Sequence, residues 1–120
     1  MELSSERLTP IAQKAHNGCF GCGPANAGGL HLEFLLAEHG LAGCLPTIPD
    51  RFEGPVGYLH GGIIATLLDE AMSTSLRARG LTAMTRQMEI NQLRPVHSDA
   101  PTRVESRPAR SEGRKHWSEA

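Results

Sequence analysis

From about Gly62 to Arg79 the sequence is apolar almost all the way round a helical projection, and this limits the possible folds more than any other stretch. Ile63, Ile64, Leu67, Leu68, Ala71, Met72, Ser75 and Leu76 cover most of the circumference, so the helix cannot lie on a surface and must be enclosed by other structure. Gly80 supplies a C-terminal stop. His60-Gly61-Gly62 opens the helix, and glycines at a helix start let a ligand approach unpaired backbone N–H groups closely. Asp69 sits on an inner turn, where a carboxylate is costly to bury unless it is partnered or used. Its neighbour Glu70 points about 100° away and reads as a solvated or interface charge.

Around this helix the pattern is that of strands. Leu8, Ile11 and Ala12 or Ala15 follow helical spacing and predict a short helix within residues 1–15, and residues 16–29 are glycine-rich and irregular. Leu30–Ala37 alternates as a strand does, Glu38-His39-Gly40 forms a turn, and Leu41–Ile48 is a second strand cut short by Pro46 and Pro49. After Gly80, strands are expected over Ala83–Leu93, Thr102–Arg107 and Lys115–Glu119, with a turn at Ser111-Glu112-Gly113. One apolar helix followed by antiparallel strands implies an α+β domain in which a sheet wraps a central helix.

At 120 residues the chain makes one small domain, and because small domains often gain burial by oligomerising, a dimer is expected. No apolar run approaches the roughly 20 residues of a membrane span, and Met1–Lys14 has no signal-peptide pattern. The cysteine count is three, an odd number, which favours a reducing cytoplasm. Residues 1–76 hold three basic and eight acidic side chains, whereas residues 77–120 hold nine and five. That skew suits either a solvated basic face or an anionic small-molecule tail such as a nucleotide phosphate. Nucleic-acid binding lacks the interleaved aromatics that base stacking needs.

Cys19-x-x-Cys22 invites a zinc or redox reading, but a closed zinc site takes four ligands. There is no second cysteine pair, and His16 and His31 would have to complete the set at unusual spacings. The loop is therefore read as packing, with Cys19 and Phe20 as small and large apolar groups, and no metal or cofactor is expected. Cys44 is read as a strand core residue.

Three stretches together resemble the hotdog-fold acyl-CoA thioesterases of the PaaI-like (4HBT) branch. They are Cys19-Phe20-Gly21-Cys22-Gly23-Pro24 through Gly29-Leu30, His60-Gly61-Gly62 with Asp69, and Leu93-Arg94-Pro95-Val96. The resemblance implies a hotdog domain over residues 19–120 behind an N-terminal extension of residues 1–18. It also implies hydrolysis of an acyl-CoA thioester by a homodimer or dimer of dimers, with no nucleic-acid or membrane partner. Asp69 would be nucleophile or general base, Thr85 would assist the water or the carboxylate, and His60 would fix the loop and the carbonyl end of the substrate. Gly61 and Gly62 would polarise the carbonyl through the helix start, and Thr66 and Ser73, on Asp69's stripe, are candidate hydrogen-bond partners for it. Arg94, Arg114 and Lys115 are candidate contacts for the phosphates of coenzyme A. Many relatives carry an Asn where this chain has Gly54, so either a backbone group replaces that amide or the catalytic set is thinner than in those relatives. Relatives also continue past the strand around Trp117 with one more strand, which implies either a truncated chain or a sheet closed through a partner. The alternative is a non-catalytic acyl-CoA-binding or regulatory hotdog protein.

Helix geometry adds a constraint of its own. Asp69 lies seven residues beyond Gly62, so the two face nearly the same way but stand about 10 Å apart along the axis. A carboxylate cannot attack a carbonyl held that far away at its own helix start. The spacing favours a site that draws Gly62 from one subunit and Asp69 from another.

Overall fold

The computed structural model describes residues 8–120. Helix α1 spans Gly61–Arg77 and packs against a five-stranded antiparallel sheet of order β1–β2–β3–β4–β5. The strands are Thr9–Pro10 (β1), Leu35–Leu36 (β2), Ala42–Cys44 (β3), Val104–Glu112 (β4) and Lys115–Glu119 (β5). This is a hotdog-type α+β architecture, with one long helix against an open sheet that does not close into a barrel. No helix among the described residues is long and apolar enough to cross a membrane.

The core lies between helix and sheet, where Leu32, Phe34, Cys44, Ile48, Leu59, Leu67, Ala71 and Val104 form one buried cluster. Two hydroxyls lock the helix to the sheet side. The Ser106 Oγ–H donates to the Ala71 carbonyl at 2.6 Å, and the Ser75 Oγ–H to the Gly40 carbonyl at 2.8 Å. Ala71, Ser75 and Ser106 are all fully buried, and their small side chains are what allow the approach to be so close.

Local departures from the expected elements have identifiable causes. The helix expected within residues 1–15 falls partly on residues 1–7, outside the described residues; over Leu8–Ala15 there is no helix. Thr9 and Pro10 instead pair with Leu36 and Leu35, and the Ile11 N–H bonds the Phe34 carbonyl, so residues placed in an N-terminal extension form the sheet edge. Pro10, which has no N–H, is tolerated at such an edge. Leu30–Ala37 alternates in burial as expected, with Leu32 and Phe34 inside and His31 and Glu33 outside. Only Leu35–Leu36 joins the ladder, because the Leu32 N–H bonds the Gly21 carbonyl and His31 takes a φ of +52°. The expected strand Thr102–Arg107 starts at Val104 and runs on to Glu112, and the hairpin turn falls at Gly113, with a φ of +58°, and Arg114.

The largest departure is Ala83–Leu93, which has no strand partner among the described residues. A strand pattern becomes a strand only beside a free ladder edge, and β1–β5 form an unbroken row that this segment does not join. Its Met84 and Leu93 are 91% and 88% exposed.

Ile48→Val is expected to cost about 0.5–1.5 kcal/mol in chemical denaturation, whereas Leu45→Ala, at an exposed position, stays within about 0.5 kcal/mol. Burial pushes the Cys44 thiol from 9.0 up to about 12, so the folded chain holds this proton more tightly than the unfolded one. The resulting stabilisation is complete below the unfolded value and is lost as pH rises toward the folded one. Denaturation midpoints should therefore fall between pH 9 and 12, less steeply in Cys44→Ala.

Candidate active site

The site is assembled by the roll of α1 about its axis. Ala71 faces the sheet, and at about 100° per residue Asp69 projects from nearly the opposite side, half-buried. The 81–93 segment passes across that side. The Thr85 Oγ–H donates to Asp69 Oδ1 at 2.6 Å, and Gln92 Nε2–H donates to the Gly61 carbonyl at 3.1 Å. The segment thus runs back along the helix toward its start, fastened at two points. Among the described residues only Thr85 donates to Asp69, which leaves Oδ2 without a hydrogen-bond partner.

At the helix start His60 is the N-cap residue. Its Nδ1 accepts from the Gly62 N–H at 2.9 Å, and its carbonyl accepts from the N–H groups of Ile63 and Ile64. An accepting Nδ1 places the proton of the neutral ring on Nε2. The imidazole therefore does the work usually done by Ser, Thr, Asp or Asn at this position. Gly62 is not a free donor here, because its N–H is committed to the ring, whereas the Gly61 N–H has no acceptor among the described residues. Gly54 lies directly beside the histidine: a Cβ there would come within 3.3 Å of His60 Cα and 3.7 Å of its Cδ2.

Other residues singled out in the sequence are placed differently. Thr66 turns its hydroxyl to the Gly62 carbonyl at 3.0 Å, satisfying its own helix rather than Asp69. Ser73 makes no bond to Asp69 among the described residues, so the hydroxyl partner comes from Thr85 alone. Arg94 follows the 81–93 segment, while Arg114 and Lys115 sit at the tip of the β4–β5 hairpin. All three are exposed and have no ion pair among the described residues. Gln92 escaped the sequence reading. An exposed amide on an alternating segment carries no signal until the segment is seen folded back onto Gly61.

A groove of about 370 Å³ opens along another flank of α1, lined by Ile64, Leu67, Leu68, Val96 and Val104. Leu68 and Asp69 are adjacent, so the apolar groove and the carboxylate lie on neighbouring faces of one helix. The cap makes a direct prediction: His60→Ala should cost about 1 kcal/mol in thermal or chemical denaturation, and His60→Asn should recover most of it.

Comparison with known proteins bears on the fold and the family. The thioesterase superfamily domain (4HBT) matches residues 56–116, half of the chain, and includes the His-Gly-Gly start, Asp69, Thr85 and Gln92. The crystal structure of a thioesterase superfamily protein is similar at a TM-score of 0.78 and 26% identity, covering 87% of this chain and 50% of that one. This chain thus spans about half the length of that relative. A phenylacetic acid degradation-related protein from Ralstonia eutropha JMP134, itself a candidate thioesterase, shares the fold at a TM-score of 0.61 and 24% identity, covering 79% of this chain and 84% of that one. The helix against an antiparallel sheet, the capped His-Gly-Gly start and the domain match together identify the chain as a member of the hotdog-fold thioesterase superfamily.

Proposed function

We propose that the protein hydrolyses an acyl-CoA thioester to a free acid and coenzyme A, with Asp69 as the reacting carboxylate. The observation that carries this reading is the 2.6 Å hydrogen bond from Thr85 to Asp69 Oδ1, which orients the carboxylate and leaves Oδ2 to act. A carboxylate so held can attack the thioester carbonyl directly or take a proton from an attacking water. Thr85 is the positioning residue in either case.

The carbonyl oxygen is polarised at a helix start, where unpaired N–H groups and the helix dipole favour developing negative charge. The Gly61 N–H is the free donor, and the His60 Nε2–H is a second group on the same loop. Because Gly61 and Asp69 are eight residues apart on one helix, roughly 12 Å of rise separates them. The site therefore pairs the helix start of one subunit with Asp69 of another, in a homodimer or dimer of dimers. The acyl or aryl group lies along the apolar flank of α1, and Arg94, Arg114 and Lys115 are the candidate contacts for the phosphates.

One observation favours acyl-CoA binding without turnover: the ring of His60 holds the Gly62 N–H, so of the two glycine donors expected to polarise the carbonyl only Gly61 is left to do so. Thiol release measured over short, medium, long and aryl acyl-CoAs separates the readings. Hydrolysis should fall by roughly 10²–10⁴-fold in Asp69→Asn. Thr85→Val should lower kcat by about 10-fold with little change in KM, the split expected of a residue that orients a reacting group. Unchanged turnover in Asp69→Asn would remove the proposed mechanism, and tight binding with no turnover in the wild type would establish the binding protein.

A further inference from the structure

The cysteine loop ends up against the one helix flank that the proposed reaction leaves unused. Glu70 and Arg77 are seven residues apart and share this flank, about 100° round from Asp69. The sequence reading treated Glu70 as a solvated or interface charge, but the Cys19 thiol donates to its Oε1 at 3.2 Å, and Cys22 is buried next to them. The ligand atoms of Cys19, Cys22 and Glu70 all lie within 4.8 Å of one another. Glu70 thus supplies, from 51 residues away, a ligand that no spacing in the sequence discloses.

We propose that Cys19, Cys22 and Glu70 bind one Zn²⁺ ion, which clips the cysteine loop to α1. Tetrahedral zinc with sulfur at about 2.3 Å and carboxylate oxygen at about 2.0–2.2 Å sets the sulfur-to-oxygen edge near 3.5 Å. The Cys19–Glu70 separation of 3.2 Å is already close to that edge. Two thiolates and a carboxylate exclude magnesium and calcium, which prefer all-oxygen shells. The fourth position goes to water, since Cys19 and Glu70 are only half-buried.

The surroundings are built for this arrangement. The loop is held by its own backbone: the Gly23 N–H bonds the Cys19 carbonyl at 2.9 Å, the Leu30 N–H bonds the Phe20 carbonyl at 2.8 Å, and Asn17 Oδ1 accepts from the Cys19 N–H at 3.0 Å. Gly21, between the two cysteines, passes directly over the carboxylate, and a Cβ there would stand 2.3 Å from Glu70 Cγ. Gly23 is equally confined, since its Cβ would lie 2.4 Å from the Asn17 carbonyl oxygen. Charge also fits. Two thiolates, one carboxylate and Zn²⁺ leave a single negative charge, and Arg77 Nη2 lies 3.9 Å from Cys22 Sγ to offset it. Zinc binds cysteine as thiolate, so its uptake by Cys19 and Cys22 releases protons.

The test uses the full, reduced chain titrated with Co²⁺ and then Zn²⁺. Expected are a thiolate-to-cobalt charge-transfer band and the visible bands of tetrahedral cobalt, saturating at one equivalent per chain and bleached by one equivalent of Zn²⁺. Cys19→Ser and Cys22→Ser should each lose about half of the charge-transfer intensity per bound cobalt, and the double variant should lose all of it. Glu70→Gln, which keeps the shape of the side chain, should retain the band and bind about 10–100-fold more weakly. Circular dichroism on each variant identifies any that fail to fold, and Glu70→Gln carries the test if a cysteine variant does. The proposal is overturned if the wild type shows no thiolate band, if the band keeps its full intensity in folded Cys19→Ser or Cys22→Ser or persists in the double variant, or if Glu70→Gln binds as tightly as the wild type. None of these readouts depends on hydrolysis, so the metal site and the thioesterase reading stand or fall separately.

Discussion

The contact between Ala71 and Ser106 sets the roll of α1, and the other faces of the helix take their roles from that roll. With Ala71 against the sheet and its carbonyl accepting from Ser106, the helix cannot turn without opening the core or losing the two hydroxyl bonds. Asp69 is then carried to the far side, where Thr85 meets it. Glu70 is carried to one flank, beneath the cysteine loop, and Ile64 and Leu68 to the other, along the apolar groove. A helix that is apolar nearly all round is thereby divided into four faces, each with a different neighbour.

The same rigidity explains why the proposed chemistry needs more than one chain. A helix that can neither bend nor slip keeps its start and its carboxylate roughly two turns apart. No side-chain rotation closes such a gap. His60 makes the start more specific still, because its ring occupies the Gly62 donor and leaves Gly61 as the free N–H.

The helix was largely legible in the sequence because its signals are local: apolar periodicity, a glycine pair at one end and Gly80, with a φ of +81°, at the other. Thr85 was singled out by its place sixteen residues after Asp69, where relatives in the family that the sequence resembles carry a Thr or Ser, and it meets Asp69 in the fold. What could not be read depends on contacts between distant segments. Thr9–Pro10 became a strand through pairing with Leu35–Leu36, against its helical spacing. Ala83–Leu93 has a strand pattern but no neighbouring ladder, so a pattern alone overstated it. Thr66 was placed on the correct stripe, yet a hydroxyl on a helix finds its own carbonyl four residues back before it finds a carboxylate. Glu70 and Gln92 carried no sequence signal because each acts on a partner more than thirty residues away.

A subunit-mixing experiment tests the shared site most directly. Gly61→Pro removes the N–H that has no acceptor among the described residues while keeping a residue suited to the first helical position, and His60, with φ −62° and ψ 137°, already has the backbone that a following proline requires. This variant and Asp69→Asn should each be nearly inactive alone. Mixed at random, half of the dimers are hybrids with one intact site of two, so the mixture should regain about a quarter of wild-type turnover. A mixture that forms hybrid dimers yet stays as inactive as its parents would show that each site is built within a single chain.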